Sequence, residues 1–121
     1  MRADLLYLAV SIVLGACGQV ILKFAAGRLG EVDLNWPQVI ATLWRVFTDP
    51  WVAAGIVFFV LSMILWIKVI TQMELSRAYP SVGLSYLIVF LLSVAIFNES
   101  VTWQKVVGLI LVSTGVYFLH Q

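Results

Sequence analysis

Four uncharged runs divide the chain: Leu5–Leu22, Trp51–Ile67, Ala78–Asn98 and Val106–Leu119. A hydrocarbon core of about 30 Å takes roughly 20 helical residues, and a helix satisfies its own backbone groups in lipid. Extended to their helix ends, the runs predict membrane spans over 4–27, 50–73, 79–97 and 102–119. The last run is short, but Val101 to Gln104 adds a turn and Trp103 suits an interfacial belt. Both termini then lie on one side of the membrane. The first run follows Arg2 as the apolar part of a leader would. Its 18 uncharged residues exceed a usual leader, though, and no Ala-x-Ala pattern follows, so a retained helix is expected.

Between the first two spans lies the longest connection, Arg28 to Asp49. Within it Trp36, Ile40, Leu43, Trp44 and Phe47 recur at helical spacing, and Pro37 suits a first helical turn. This predicts a short helix lying in the membrane interface; the other reading is a surface loop that buries its two tryptophans. The expected fold is therefore an all-α membrane protein. It forms one four-helix domain over residues 1–121 with an interfacial helix after the first span.

Composition agrees and narrows the function. Of 121 residues 63% are hydrophobic and 11% charged, where a soluble domain is about 25% charged. A large water-soluble catalytic domain is excluded. The net charge of +1 offers no footprint for nucleic acid. Cys17 is the one cysteine and His120 the one histidine, so no thiolate metal site, catalytic triad or cofactor motif is expected. Nothing here reads as an enzyme. With four spans, Arg2, Lys68 and Arg77 face one side, and Lys23, Arg28, Arg45 and Lys105 the other. The positive-inside rule gives no orientation from so even a split.

Polar groups within spans are costly and mark the candidate chemistry. Ser11, Gly15, Gly18, Gln19 and Leu22 share one stripe of the first helix, and Lys23 closes that helix one turn after Gln19. Gln19 and Lys23 either contact a polar or anionic headgroup, or bond a neighbouring helix and snorkel to water. Lys68 lies inside the end of its span and is expected to snorkel, with a polar cavity as the other reading. Glu74 and Arg77 read as charges at the water boundary. Tyr79-Pro80 marks a helix start or a kink. Tyr79, Gly83 and Tyr86 share a face, the tyrosines suited to a substrate path and Gly83 to close packing. Glu99 either solvates its turn, pairs with Lys105 or contacts substrate. Ser100 or Thr102 is the expected cap of the last helix. Gly108 and Gly115 are two turns apart on one face, for packing within the chain or in a dimer.

Gly18-Gln19-x-x-x-Lys23-x-Ala25, Ala78-Tyr79-Pro80, Glu99-x-Val101 and Gly108-x(6)-Gly115-Val116 follow in order across nearly the whole chain. This pattern resembles the drug/metabolite transporter superfamily in its four-helix, EamA-like branch. It is most similar to subunits of the aminoarabinose-phosphoundecaprenol flippase. The resemblance implies a flippase of lipid-linked sugars in the bacterial inner membrane, working by alternating access as a homodimer or heterodimer. On that reading Gln19, Lys23 and Tyr79 hold sugar hydroxyls and phosphate. Small multidrug resistance proteins share the pattern and imply a second function, export of aromatic or quaternary cations caged by Tyr79 and Tyr86. They carry a glutamate three residues before the glycine matched by Gly18, where this chain has Gly15. A non-transporting accessory subunit is the third reading.

Overall fold

The computed structural model describes residues 2–121, with side chains from Ala3 onward. Among these residues the helices are α1 (Arg2–Leu29), α2 (Gln38–Thr48), α3 (Pro50–Gln72), α4 (Leu75–Ser81), α5 (Leu84–Phe97) and α6 (Trp103–Leu119). Three segments are long and apolar enough to cross a membrane: Ala3–Leu29, Pro50–Gln72, and Leu75–Phe97, where α4 and α5 run end to end. The chain is thus built as a multi-pass membrane protein. At 17 residues, α6 reaches about 26 Å at 1.5 Å per residue, slightly under a 30 Å core.

Helix ends follow local chemistry. Asp49 caps α3, its carboxylate accepting from Trp51 N at 2.9 Å and Val52 N at 3.2 Å, with Pro50 in the first turn. Thr102, not Ser100, caps α6 by accepting from Lys105 N at 3.3 Å. Asn98 closes α5 with φ 54°, a left-handed conformation that asparagine tolerates better than most residues. The third apolar segment begins at Leu75, four residues before the expected start at Tyr79. Pro80 lies inside α4, close enough to its end that little helix is interrupted. Val82 N then donates to Tyr79 O, and Gly83 N to Pro80 O, tightening the turn before α5.

α1 packs most extensively on α3 and also meets α5, while α6 leans on α4 and α5. The buried cluster is small: Leu8, Ile12, Val69 and Ala78, flanked by Trp66, Met73 and Ile88. Large apolar side chains such as Leu6, Ile64, Leu91 and Leu111 point outward, as lipid-facing surfaces require.

Small residues make the α1–α3 seam. A Cβ at Gly18 would stand 3.3 Å from Gly55 O, so the two backbones nearly touch. Two turns earlier, Ser11 Oγ donates to Ser62 O at 2.9 Å and Ser62 Oγ donates to Ser11 O at 2.7 Å. Each hydroxyl thereby reaches the carbonyl of the facing helix. Such bonds in membrane proteins are worth about 1 kcal/mol. Ser62→Ala is accordingly expected to lower unfolding free energy in mixed detergent–SDS micelles by about 1 kcal/mol while leaving the fold intact.

α2 presents Trp36, just before it, and Ile40, Leu43, Trp44 and Phe47 outward. Its other face is tied down: Thr42 Oγ1 donates to Asp33 O at 2.6 Å, and Arg45 donates to Glu31 O. Trp36 and Trp44 are 76% and 75% exposed, which overturns the buried-tryptophan loop and leaves an amphipathic helix with its apolar side unpartnered. Such a face belongs at the lipid–water boundary.

Candidate functional site

A cleft of about 290 Å³ lies at the middle of α1, walled by α3 and the start of α5. Gly15 opens it by lacking a side chain, Phe59 and Trp66 form apolar walls, and the Ser11–Ser62 pair closes one end. Gln19 and Ser85 also line it. Among the described residues neither the Gln19 carboxamide nor the Ser85 hydroxyl has a hydrogen-bond partner. Polar groups left open in a lipid-facing cleft are costly unless water or a ligand meets them. Their chemistry, an amide with both donors and acceptor and a hydroxyl, matches sugar hydroxyls.

Lys23 stands one turn beyond Gln19 on α1, exposed and without a hydrogen bond or ion pair among the described residues. The neighbouring charge is already committed: Arg28 pairs with Asp49 at 3.5 Å and lies 6.0 Å from the ring centre of Trp51. Trp51 in turn meets Phe24 edge-on at 4.8 Å. Arg28 is thus held near the end of α1, and Lys23 is the cation without a partner among the described residues between it and the cleft.

The other sequence candidates are spread out. Tyr79 is 68% exposed and reaches the cleft indirectly, through an edge contact with Trp66 at 6.4 Å. It follows Ala78, which packs beside Leu8 and Ile12. Lys23 is 11 residues beyond Ile12 on α1, about 16 Å along the axis. One small headgroup therefore does not touch Lys23 and Tyr79 together in this arrangement. Tyr86 is 61% exposed, on the surface of α5. Glu99 is exposed in the turn before α6, and Lys105 Nζ donates to Ser100 O at 2.7 Å rather than to Glu99. Lys68 is exposed on the outer surface of α3.

The glycines divide into two sets. A Cβ on Gly15 would sit 3.4 Å from Ser62 Oγ, and one on Gly83 would sit 2.8 Å from Val112 Cγ1, so these positions pack against α3 and α6. A methyl added at Gly108 or Gly115 would have nothing within 4 Å among the described residues. Packing within the chain therefore does not account for them.

A second, larger cavity of about 540 Å³ lies at the α1 N-terminal end, beside the ends of α3 and α6 and the Arg77–Ser81 face of α4. Leu5, Leu8, Ile12 and Val116 form its apolar side; Asp4, Glu74, Arg77, Ser81 and His120 form the polar one. Arg77 Nε donates to Leu119 O at 3.2 Å. Ser81, 1% exposed, bonds Arg77 O at 2.8 Å and His120 Nε2 at 2.5 Å. The amino-acid sequence does not single out Ser81 and leaves His120 isolated, because residues 39 apart show no pairing signal in a single chain. Among the described residues no group of three potential metal ligands comes together.

No protein-family model matches the chain, and no solved structure matches it. Curated relatives do. A protein of Proteus mirabilis named probable 4-amino-4-deoxy-L-arabinose-phosphoundecaprenol flippase subunit ArnF is 30% identical over 131 aligned residues, covering 100% of this chain and 94% of its own. The ArnF of Erwinia tasmaniensis is 34% identical, covering 95% and 92% respectively. A subunit ArnE of Pseudomonas fluorescens is 30% identical, with 94% of each chain covered.

Proposed function

The chain belongs to the family of ArnE and ArnF flippase subunits, and on that premise we propose that it carries a polyprenyl-phosphate-linked aminosugar between leaflets of the bacterial inner membrane. Transport is the activity, with no bond made or broken. The observation that carries the reading is the cleft at Gln19, partway along α1, with a carboxamide and a hydroxyl that have no hydrogen-bond partner among the described residues and a Lys23, likewise without one, one turn away. Gln19 and Ser85 take sugar hydroxyls in turn, and Lys23 takes the phosphate as a compact point charge. The prenyl chain stays in lipid outside the cleft, which opens between helices rather than into a closed tunnel.

Depth differences among the candidates support a staged path. Lys23 receives the headgroup, Gln19 holds it midway, and Tyr79 lies further along near Trp66. The protein acts as a single domain of four spans, with α6 crossing as the fourth. Its open glycine face, Gly108 and Gly115, packs on a second subunit, since close backbone approach is how such helices associate. Names of both ArnF and ArnE among relatives of similar identity favour a related but different subunit as that partner. Alternating access then follows from rocking of the two subunits about the cleft.

Native mass spectrometry tests this on detergent-purified protein, alone and co-purified with a second family subunit. The expected result is retention of a polyprenyl-phosphate lipid and no retention of a quaternary ammonium compound. Retention of the cation alone would replace the flippase with an exporter. Retention of neither by the paired subunits would leave an accessory role in its place.

A further inference from the structure

We propose that the cavity at the α1 N-terminal end is a second headgroup station, one that reads the amine of the lipid-linked aminosugar. This rests on the flippase reading above and adds to it a site, a ligand group and a basis for specificity. The cavity is amphiphilic in the way such a substrate is. Leu5, Leu8 and Ile12 line one side, on the helix whose outer residues Leu6 and Val10 face lipid. On the other side a carboxylate and a guanidinium, Glu74 and Arg77, line the same space.

Such a mixture is mismatched to a simple anion. A bare phosphate would meet the Glu74 carboxylate beside the guanidinium, whereas a headgroup bearing both an ammonium and a phosphate finds a partner for each. Glu74 has no ion pair among the described residues, so its carboxylate is open to an ammonium. Among the described residues Arg77 spends only Nε, on Leu119 O, and its terminal nitrogens remain as a fork for phosphate. Ser81 and His120 hold that arrangement by tying α4 to the end of α6. At about 540 Å³ the space falls within the usual range for a small-molecule site. It also lies at the opposite end of α1 from Lys23, where a headgroup crossing the membrane must next find charge.

The test compares two lipids that differ at one atom: an aminopentosyl phosphoprenol and its hydroxyl counterpart. Native mass spectrometry reads their retention by the full-length protein co-purified with a second family subunit, as wild type and as Glu74→Gln. Wild type is expected to prefer the amine about ten-fold, the usual worth of one charged hydrogen bond. In Glu74→Gln the preference should fall to near one, with retention of the hydroxyl lipid unchanged. A merely structural role for this carboxylate would lower both lipids together. Preference persisting in Glu74→Gln would overturn the amine site alone, while failure of the paired wild type to retain either lipid would overturn the flippase reading as well.

Discussion

Gly18→Leu is expected to cost about 2 kcal/mol net and to remove most of the monodisperse, folded protein. Two effects oppose each other at this position. Glycine inside a helix is about 1 kcal/mol worse than a good helix former, so any side chain recovers that much from the isolated helix. Against it stands the seam with α3. Even a methyl carbon would be 3.3 Å from Gly55 O, 3.4 Å from Phe58 Cβ and 3.4 Å from a Phe59 ring carbon. The nearest of these is backbone and cannot yield without moving the helix. Leucine adds three more carbons, and overpacking of this kind costs about 1–3 kcal/mol or more. Parting the helices would also stretch the Ser11–Ser62 bonds two turns away, so the upper end of that range applies.

Gly27→Leu supplies the comparison, since nothing lies within 4 Å of a methyl there among the described residues and the helix gain stands alone. Thermal denaturation and size-exclusion profiles of the two variants should therefore diverge, Gly18→Leu melting early and Gly27→Leu at or above wild type. Equal melting would mean that α1 and α3 do not share this seam. Gly55 is more forgiving. There the first clash, 2.9 Å, is with the flexible end of Leu22, so Gly55→Ala should be milder than its short distance suggests.

The fate of these glycines also indicates which features a single sequence discloses. Uncharged runs located the apolar helices to within a few residues, because burial in lipid leaves no alternative to a charge-free helix. The face of α2 was legible for the same kind of reason: Ile40, Leu43, Trp44 and Phe47 repeat at the helical period. Of the two readings of Tyr79-Pro80, a helix start and a kink, the start fails: the helix begins five residues before the proline at Leu75, and Pro80 lies inside it just before the turn into α5. Partners across helices were hidden. Ser62 is one hydroxyl in a long apolar run, and its pairing with Ser11, 51 residues away, depends on which helices become neighbours. Likewise the stripe from Ser11 to Gln19 announced a packing face but not its division. Gly18 meets α3 directly, whereas Gly15 and Gln19 border an opening in the same seam. His120 and Ser81 show the same limit at the other end of α1.

Lys23→Met is expected to slow lipid translocation roughly 100-fold, with membrane insertion and thermal stability unchanged. The magnitude follows from the charge that must cross. A single ionised group at the bilayer centre costs about 3 kcal/mol on insertion scales, and about 1.36 kcal/mol in a barrier is a factor of ten. Lys23 can offset that cost by accompanying the phosphate into the cleft, because it is one turn from Gln19 and has no partner to give up among the described residues. Arg28 cannot substitute, being bound to Asp49 over Trp51. Methionine keeps the length and apolar stem of the side chain, so the variant removes charge with little change in packing. Lys23→Arg should retain most activity, since a cation of similar reach remains. The measurement is transfer of a phosphoprenol sugar between leaflets of liposomes containing the protein with its partner subunit. Wild-type rates in Lys23→Met would sink the role of Lys23, and the phosphate would then have to find its counter-charge on the partner subunit.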